Sequence, residues 1–158
     1  MIWRVLGYVW AAPLTAPALI VAMFFTLFRW VKWIGRGDAA FVWAVNRKRA
    51  PQRFVRLWNH KSGMSVGQVV ILKNIPDNIN DSTRLAHECE HVRQQMILGV
   101  FYPVLYVLFW VVIKVVCVHA QARYSNPFEL EARRAAGQYI DMEGLHAKLL
   151  FLSKKRQR

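Results

Sequence analysis

Two uncharged apolar blocks, residues 5–28 and 96–113, bracket a middle in which apolar positions recur at helix and strand spacings. The first block runs for 24 residues, enough to span a hydrocarbon core at about 1.5 Å per residue. Pro13 and Pro17 bend such a helix without excluding it, because membrane-spanning helices accommodate proline. Arg29, Lys32 and Arg36 follow at once, with Trp30 and Trp33 as interfacial aromatics, whereas only Arg4 precedes the block. This asymmetry predicts an N-terminal transmembrane anchor and basic flank over residues 1–36, with the rest of the chain on the cytoplasmic side. A helical hairpin broken at the prolines is the alternative.

The pattern changes at Phe54. Residues 54–58 and 64–73 read as two strands around a turn at 59–63, the second carrying the β-branched run Val69-Val70-Ile71-Leu72. Residues 74–81 form a loop, and Asp81, Ser82 or Thr83 can cap the helix that follows. In that helix Leu85, Cys89, Val92 and Met96 recur every three or four positions, which makes a buried stripe. His87, His91, Gln94 and Gln95 fall on a polar face. A strand placed just before such a helix can offer its edge to an extended peptide.

Composition sharpens the picture. The chain has 158 residues, is 55% hydrophobic, contains 7 Trp and carries a formal charge of +13. Apolar blocks separated by basic clusters are a membrane-protein pattern, and membrane lipid is the expected partner. The cluster Arg47, Lys48, Arg49, Arg53 and Arg56 suits anionic lipid. Nucleic acid is disfavoured, since no surface interleaves aromatic and basic residues. Cys89 and Cys117 do not make a disulfide framework.

The chemistry is concentrated in His87-Glu88-Cys89-Glu90-His91, an H-E-x-x-H sequence on the expected helix. Residues four apart share a helix face, so both imidazoles can point at a single Zn2+ ion. Glu88 can then act as general base toward a water at that ion. A third ligand is needed, and Asn126-Pro127-Phe128-Glu129-Leu130-Glu131 supplies candidates. Asn126 as N-cap and Pro127 at the first helical position start a second helix, expected to run on through Tyr139 and Ile140. Glu129 and Glu131 point about 160° apart on it, so only one readily faces the metal. Both are otherwise ordinary first-turn acids that complement the helix dipole.

H-E-x-x-H with a downstream E-x-x-A resembles the gluzincin metallopeptidases, including the membrane-bound CAAX prenyl protease and heat-shock protease families. H-E-x-x-H-V-x-Q-Q followed by E-x-E-A is also similar to small bacterial metallopeptidase-like domains. The resemblance implies zinc held by His87, His91 and Glu129, with Ala132 as the small residue of the second motif. Arg133 stands where those families usually keep an Asp that supports a ligand histidine. The implied fold is mainly α with a small β-hairpin or sheet: a minimal gluzincin-like α+β domain over residues 37–158, attached to the anchor. The implied activity is that of a membrane-associated zinc metallopeptidase hydrolysing peptide or protein substrates, with Glu88 as the catalytic base.

The spacing then constrains the second apolar block. Only 37 residues separate His91 from Glu129, whereas two full crossings need about 40. Residues 98–118 are therefore expected as a re-entrant or interfacial hairpin broken near Gly99 and Pro103, or as a helix packed within the domain. His119, Tyr124 and Tyr139 are candidate oxyanion stabilisers. Two other functions fit parts of the pattern: a non-catalytic membrane protein with a structural or degenerate zinc site, and a basic membrane-surface or nucleic-acid-binding protein without metal.

Overall fold

The computed structural model describes residues 2–59, 61–75, 83–116 and 125–138. Helix α1 spans Ile2–Leu27, unbroken at Pro13 and Pro17. Strands β1 (Val31–Arg36) and β2 (Phe41–Val45) follow, then the short helix α2 (Gln52–Leu57). A hairpin of β3 (Gly63–Val66) and β4 (Val69–Leu72) leads to α3 (Thr83–Leu98). Helices α4 (Phe101–Val116) and α5 (Pro127–Ala135) complete the described chain.

The four strands form one mixed sheet in the order β1-β2-β4-β3. β2 and β4 are parallel neighbours, while β1 and β3 pair antiparallel on the outside. Alternation of side chains splits the core in two. Val31, Trp43, Val45, Val69 and Ile71 pack with Ala22 of α1 and with Trp58. Val42, Ala44, Val70 and Leu72 pack with Leu85 and Val92 of α3. The sheet is thus sandwiched between α1 and α3. β4 is buried at every position because both its faces are covered, which explains its unbroken Val-Val-Ile-Leu run.

Several expectations from the pattern change here. Residues 31–36, which read as the basic flank of an anchor, are an outer strand, and β2 has no counterpart among the expected elements. Residues 54–58 lie in and just after α2, not in a strand. Phe54 and Trp58 lie one helical turn apart with rings 6.3 Å apart, and Phe54 meets Phe25 and Trp30 at 4.9 and 5.3 Å. Aromatic packing against α1, not strand pairing, is what their spacing serves. The hairpin turn is at Gly67-Gln68, inside the expected second strand.

Residues 98–118 are not a hairpin over their described part. The chain bends by 113° between α3 and α4, at Gly99, whose φ is 55°. From there α4 runs as one helix, with Pro103 in its first turn, where its missing N–H breaks no helical bond. α5 begins as read, with Asn126 Oδ1 accepting from Phe128 N at 3.1 Å, but it stops at Ala135. Gln138 N donates to Arg133 O at 2.9 Å and Gly137 N to Arg134 O at 3.1 Å, and Gly137 has φ 64°. This is a Schellman C-cap, which ends α5. Asp81, Ser82, Cys117, His119, Tyr124, Tyr139 and the C-terminal basic tail lie outside the described residues.

α1 is the one described helix long and apolar enough to cross a membrane by itself. α4 is apolar and largely exposed, with Phe101, Val104, Leu108 and Val115 among its open positions. A helix apolar on most of its circumference needs an apolar surround.

Candidate metal centre

The stripe of α3 that packs on the sheet leaves His87 and His91 on a neighbouring face, one turn apart, with ring centroids 4.8 Å apart and planes at 87°. α5 brings in Glu129. Its Oε2 lies 3.4 Å from His87 Nε2 and its Oε1 3.6 Å from His91 Nε2. All three donor atoms lie within 4.8 Å of one another and all three residues are buried. The two imidazole–carboxylate separations are long for hydrogen bonds. They approach the roughly 3.3 Å expected between donors about 2.0–2.1 Å from one tetrahedral ion. Two nitrogens and one carboxylate, buried and convergent, can hold a metal ion. Glu131 projects the other way and is half exposed.

Gln94 fixes the state of His91. Its Nε2 donates to Phe128 O at 3.1 Å and to Glu131 Oε2 at 2.9 Å. The amide oxygen must therefore be the atom 2.9 Å from His91 Nδ1. His91 Nδ1–H donates to it, leaving the Nε2 lone pair directed at the site. Glu131 is itself held by Arg93 at 2.8 Å. Glu131 is thus linked to His91 through Gln94. For His87 the picture differs: its Nδ1 is buried with no partner among the described residues.

Two tyrosines from α4 close the site. Tyr102 OH lies 3.0 Å from His91 Nδ1, and Tyr106 OH donates to Glu129 Oε1 at 2.8 Å. Neither is among the residues that the sequence motifs single out, although two Tyr four apart in a Val/Leu/Phe run are a legible signal. The bend at Gly99 lets α4 return over the histidines, and Asn126 Nδ2 donates to Tyr106 O at 3.1 Å, tying α4 to the start of α5.

Glu88 is buried against β3, 5% exposed. A Cβ at Gly63 would lie 2.7 Å from Glu88 Oε1, so the glycine makes room for the carboxylate. Burial raises the Glu88 pKa, opposed by His91 and His87 and by a hydrogen bond from Ser65. Burial works the same way on Glu129, but the imidazoles facing it and the Tyr106 hydroxyl hold its carboxyl well below the usual range. Burial disfavours a charged His91, yet Glu129 and Gln94 raise its pKa above the ordinary value. Cys89 is not part of this cluster, and burial pushes its thiol up to about 11. It packs beside the sheet core with Met96.

The site opens into a cleft of about 480 Å³ lined by Glu88, His87, His91 and Glu129, by β3 residues 63–66, and by Tyr102, Pro103, Tyr106 and Val107 of α4. β3 is an outer strand. The cleft therefore places a strand edge unpaired among the described residues, a buried carboxylate and a candidate metal centre side by side. No protein family, curated protein or solved structure matches the chain.

Proposed function

We propose that the chain is a membrane-associated zinc metallopeptidase. The observation that carries this reading is Glu88 lining the same cleft as the His87–His91–Glu129 cluster, in a pocket shaped by Gly63. His87, His91 and Glu129 would hold Zn2+, and three protein donors leave a position for water. A bound zinc ion supplies Lewis acidity, making water acidic and a carbonyl electrophilic. Glu88 takes a proton from the attacking water and delivers it to the leaving amine. Its raised pKa suits both steps, because burial makes the carboxylate a stronger base than a solvated one. The β3 edge aligns an extended peptide by backbone hydrogen bonds, and the Tyr102 and Tyr106 rings wall the cleft opposite. The net charge of +13 favours association with an anionic membrane surface.

The test is Glu88→Gln in purified protein. It leaves stoichiometric zinc in place and reduces cleavage of an unfolded protein substrate by about 10²–10⁴-fold. Absence of zinc from the unmodified protein sinks the metal reading. Undiminished cleavage by the variant sinks the role of Glu88.

A further inference from the structure

The hydropathy of α1 invites a crossing helix, but its packing argues otherwise. Gly7, Ala11, Thr15 and Ala22 are buried, a stripe running along roughly four turns of the helix. The folded domain covers that stripe from end to end. Near the N-terminus Arg4 pairs with Asp38, between β1 and β2, at 3.5 Å. At the middle, Thr15 Oγ1 accepts from Gln68 N at 3.1 Å, and the adjacent Gly67 N donates to Gln95 of α3 at 2.6 Å. At the far end Phe25 stacks on Trp30 at 5.5 Å. The sheet therefore flanks the C-terminal half of α1, and α3 flanks its N-terminal half, where a Cβ on Gly7 would lie 3.2 Å from Met96 Cβ, so the folded domain lies alongside the whole helix.

If α1 crossed a bilayer, the sheet would be drawn through the hydrocarbon with it. Its outer strands β1 and β3 are open edges among the described residues, and open edges facing lipid are not tolerated there. Arg93, two residues from Gln95 and 55% exposed, would sit near the midplane, where an exposed arginine is strongly disfavoured.

The opposite face of α1 is open and apolar: Val9 is 69% exposed, Ile20 69%, Phe24 53% and Leu27 78%. Trp10 and Phe101, with rings 6.2 Å apart, join this face to that of α4. Exposed Arg4 and Arg29 stand at its two ends, and Lys114 lies 5.9 Å from the Trp110 ring near the end of α4. A net charge of +13 complements an anionic leaflet.

We infer that the protein is monotopic: α1 lies in the plane of an anionic membrane surface, its outer face in the acyl chains and its inner face carrying the sheet. α4 enters the same leaflet beside it. Both ends of α1 are on one side of the membrane. This inference stands on packing and charge alone and is independent of the metal.

Spin labels at Val9→Cys, Ala16→Cys, Ile20→Cys and Leu27→Cys, all exposed positions of α1, report depth in phosphatidylcholine–phosphatidylglycerol vesicles. The full chain is used, with Cys89→Ala and Cys117→Ser. An in-plane helix gives similar, shallow depths at all four, on the order of 5–10 Å below the headgroups. In cells, Ile2→Cys and Lys48→Cys then react with a membrane-impermeant maleimide from the same side only. A depth maximum at Ala16, labelling of Ile2→Cys and Lys48→Cys from opposite sides, or water access to all four spin labels overturns the inference.

Discussion

Gln94 Oε1 sits 2.9 Å from His91 Nδ1, and because its amide nitrogen is spoken for by Phe128 O and Glu131, it fixes which imidazole nitrogen carries the proton. Partners of this kind are worth about 10–100-fold in metal affinity. Gln94→Leu removes the acceptor without changing the helix propensity and should weaken zinc binding by that factor in a chelator competition. Gln94→Glu keeps the acceptor but turns an oxygen toward Glu131 Oε2 and Phe128 O, so it should restore only part of the affinity lost in Gln94→Leu. Equal loss in both variants would mean that Gln94 acts only through packing.

The two glutamates of α5 separate cleanly. Glu129→Ala removes a donor from the buried cluster and should abolish stoichiometric zinc. Glu131→Ala leaves the cluster intact and removes one of the two acceptors of the Gln94 amide, with Phe128 O still in place, so the loss should be partial, about tenfold or less. Zinc content and competition titrations decide. A larger effect at Glu131 than at Glu129 would overturn the assignment of the third ligand.

That distinction shows how far the chain can be read without coordinates. His87, His91, Glu129 and the Asn126-Pro127 helix start are legible because helix spacing and capping are local rules. The support of His91 is not, since Gln94 and Glu131 belong to separate helices and meet only through tertiary packing. β1 escapes a sequence reading because Lys32, Trp33 and Arg36 suit a membrane flank equally well. Its strand character comes from pairing with Phe41–Val45, a non-local fact. The aromatic pair Phe54 and Trp58 suggests a strand by composition, whereas one helical turn between them is what lets both rings meet the base of α1. In the 98–118 segment Gly99 is the break that its position suggests, but Pro103 is harmless in a first turn.

Protons and metal compete for the same atoms, which gives opposite pH trends. In the metal-free protein His91 has a raised pKa, so its contribution to stability is full below the unfolded value of about 6.5 and is lost as pH rises through the folded one. Glu129, with a depressed pKa, contributes above about 4.3 and loses that contribution as pH falls through its folded value. Glu88, raised by burial, adds a penalty as pH rises through its own folded value. The chelator-stripped protein should therefore lose thermal stability as pH rises above about 6.5. Zinc requires a neutral His91, so the rise in Tm on adding zinc should grow over the same interval. Thermal unfolding with and without chelator across this range measures both; a zinc-induced shift that shrinks as pH rises contradicts the site.

Gly63 offers a way to disturb the base without touching the metal. Its backbone is not in the left-handed region, so alanine adds a methyl group and little backbone strain. That methyl would meet Glu88 Oε1 at 2.7 Å and Cγ at 2.9 Å, and the carboxylate must move. Displacement by even about 1 Å from a reacting water is costly, on the order of 10²-fold in rate. Gly63→Ala should therefore lower kcat by about that factor while zinc affinity stays within about twofold, since no donor atom is changed. Peptide hydrolysis and chelator competition on the same preparation make the comparison. If zinc affinity falls in step with kcat, β3 positions the metal helix as a whole and not Glu88 alone.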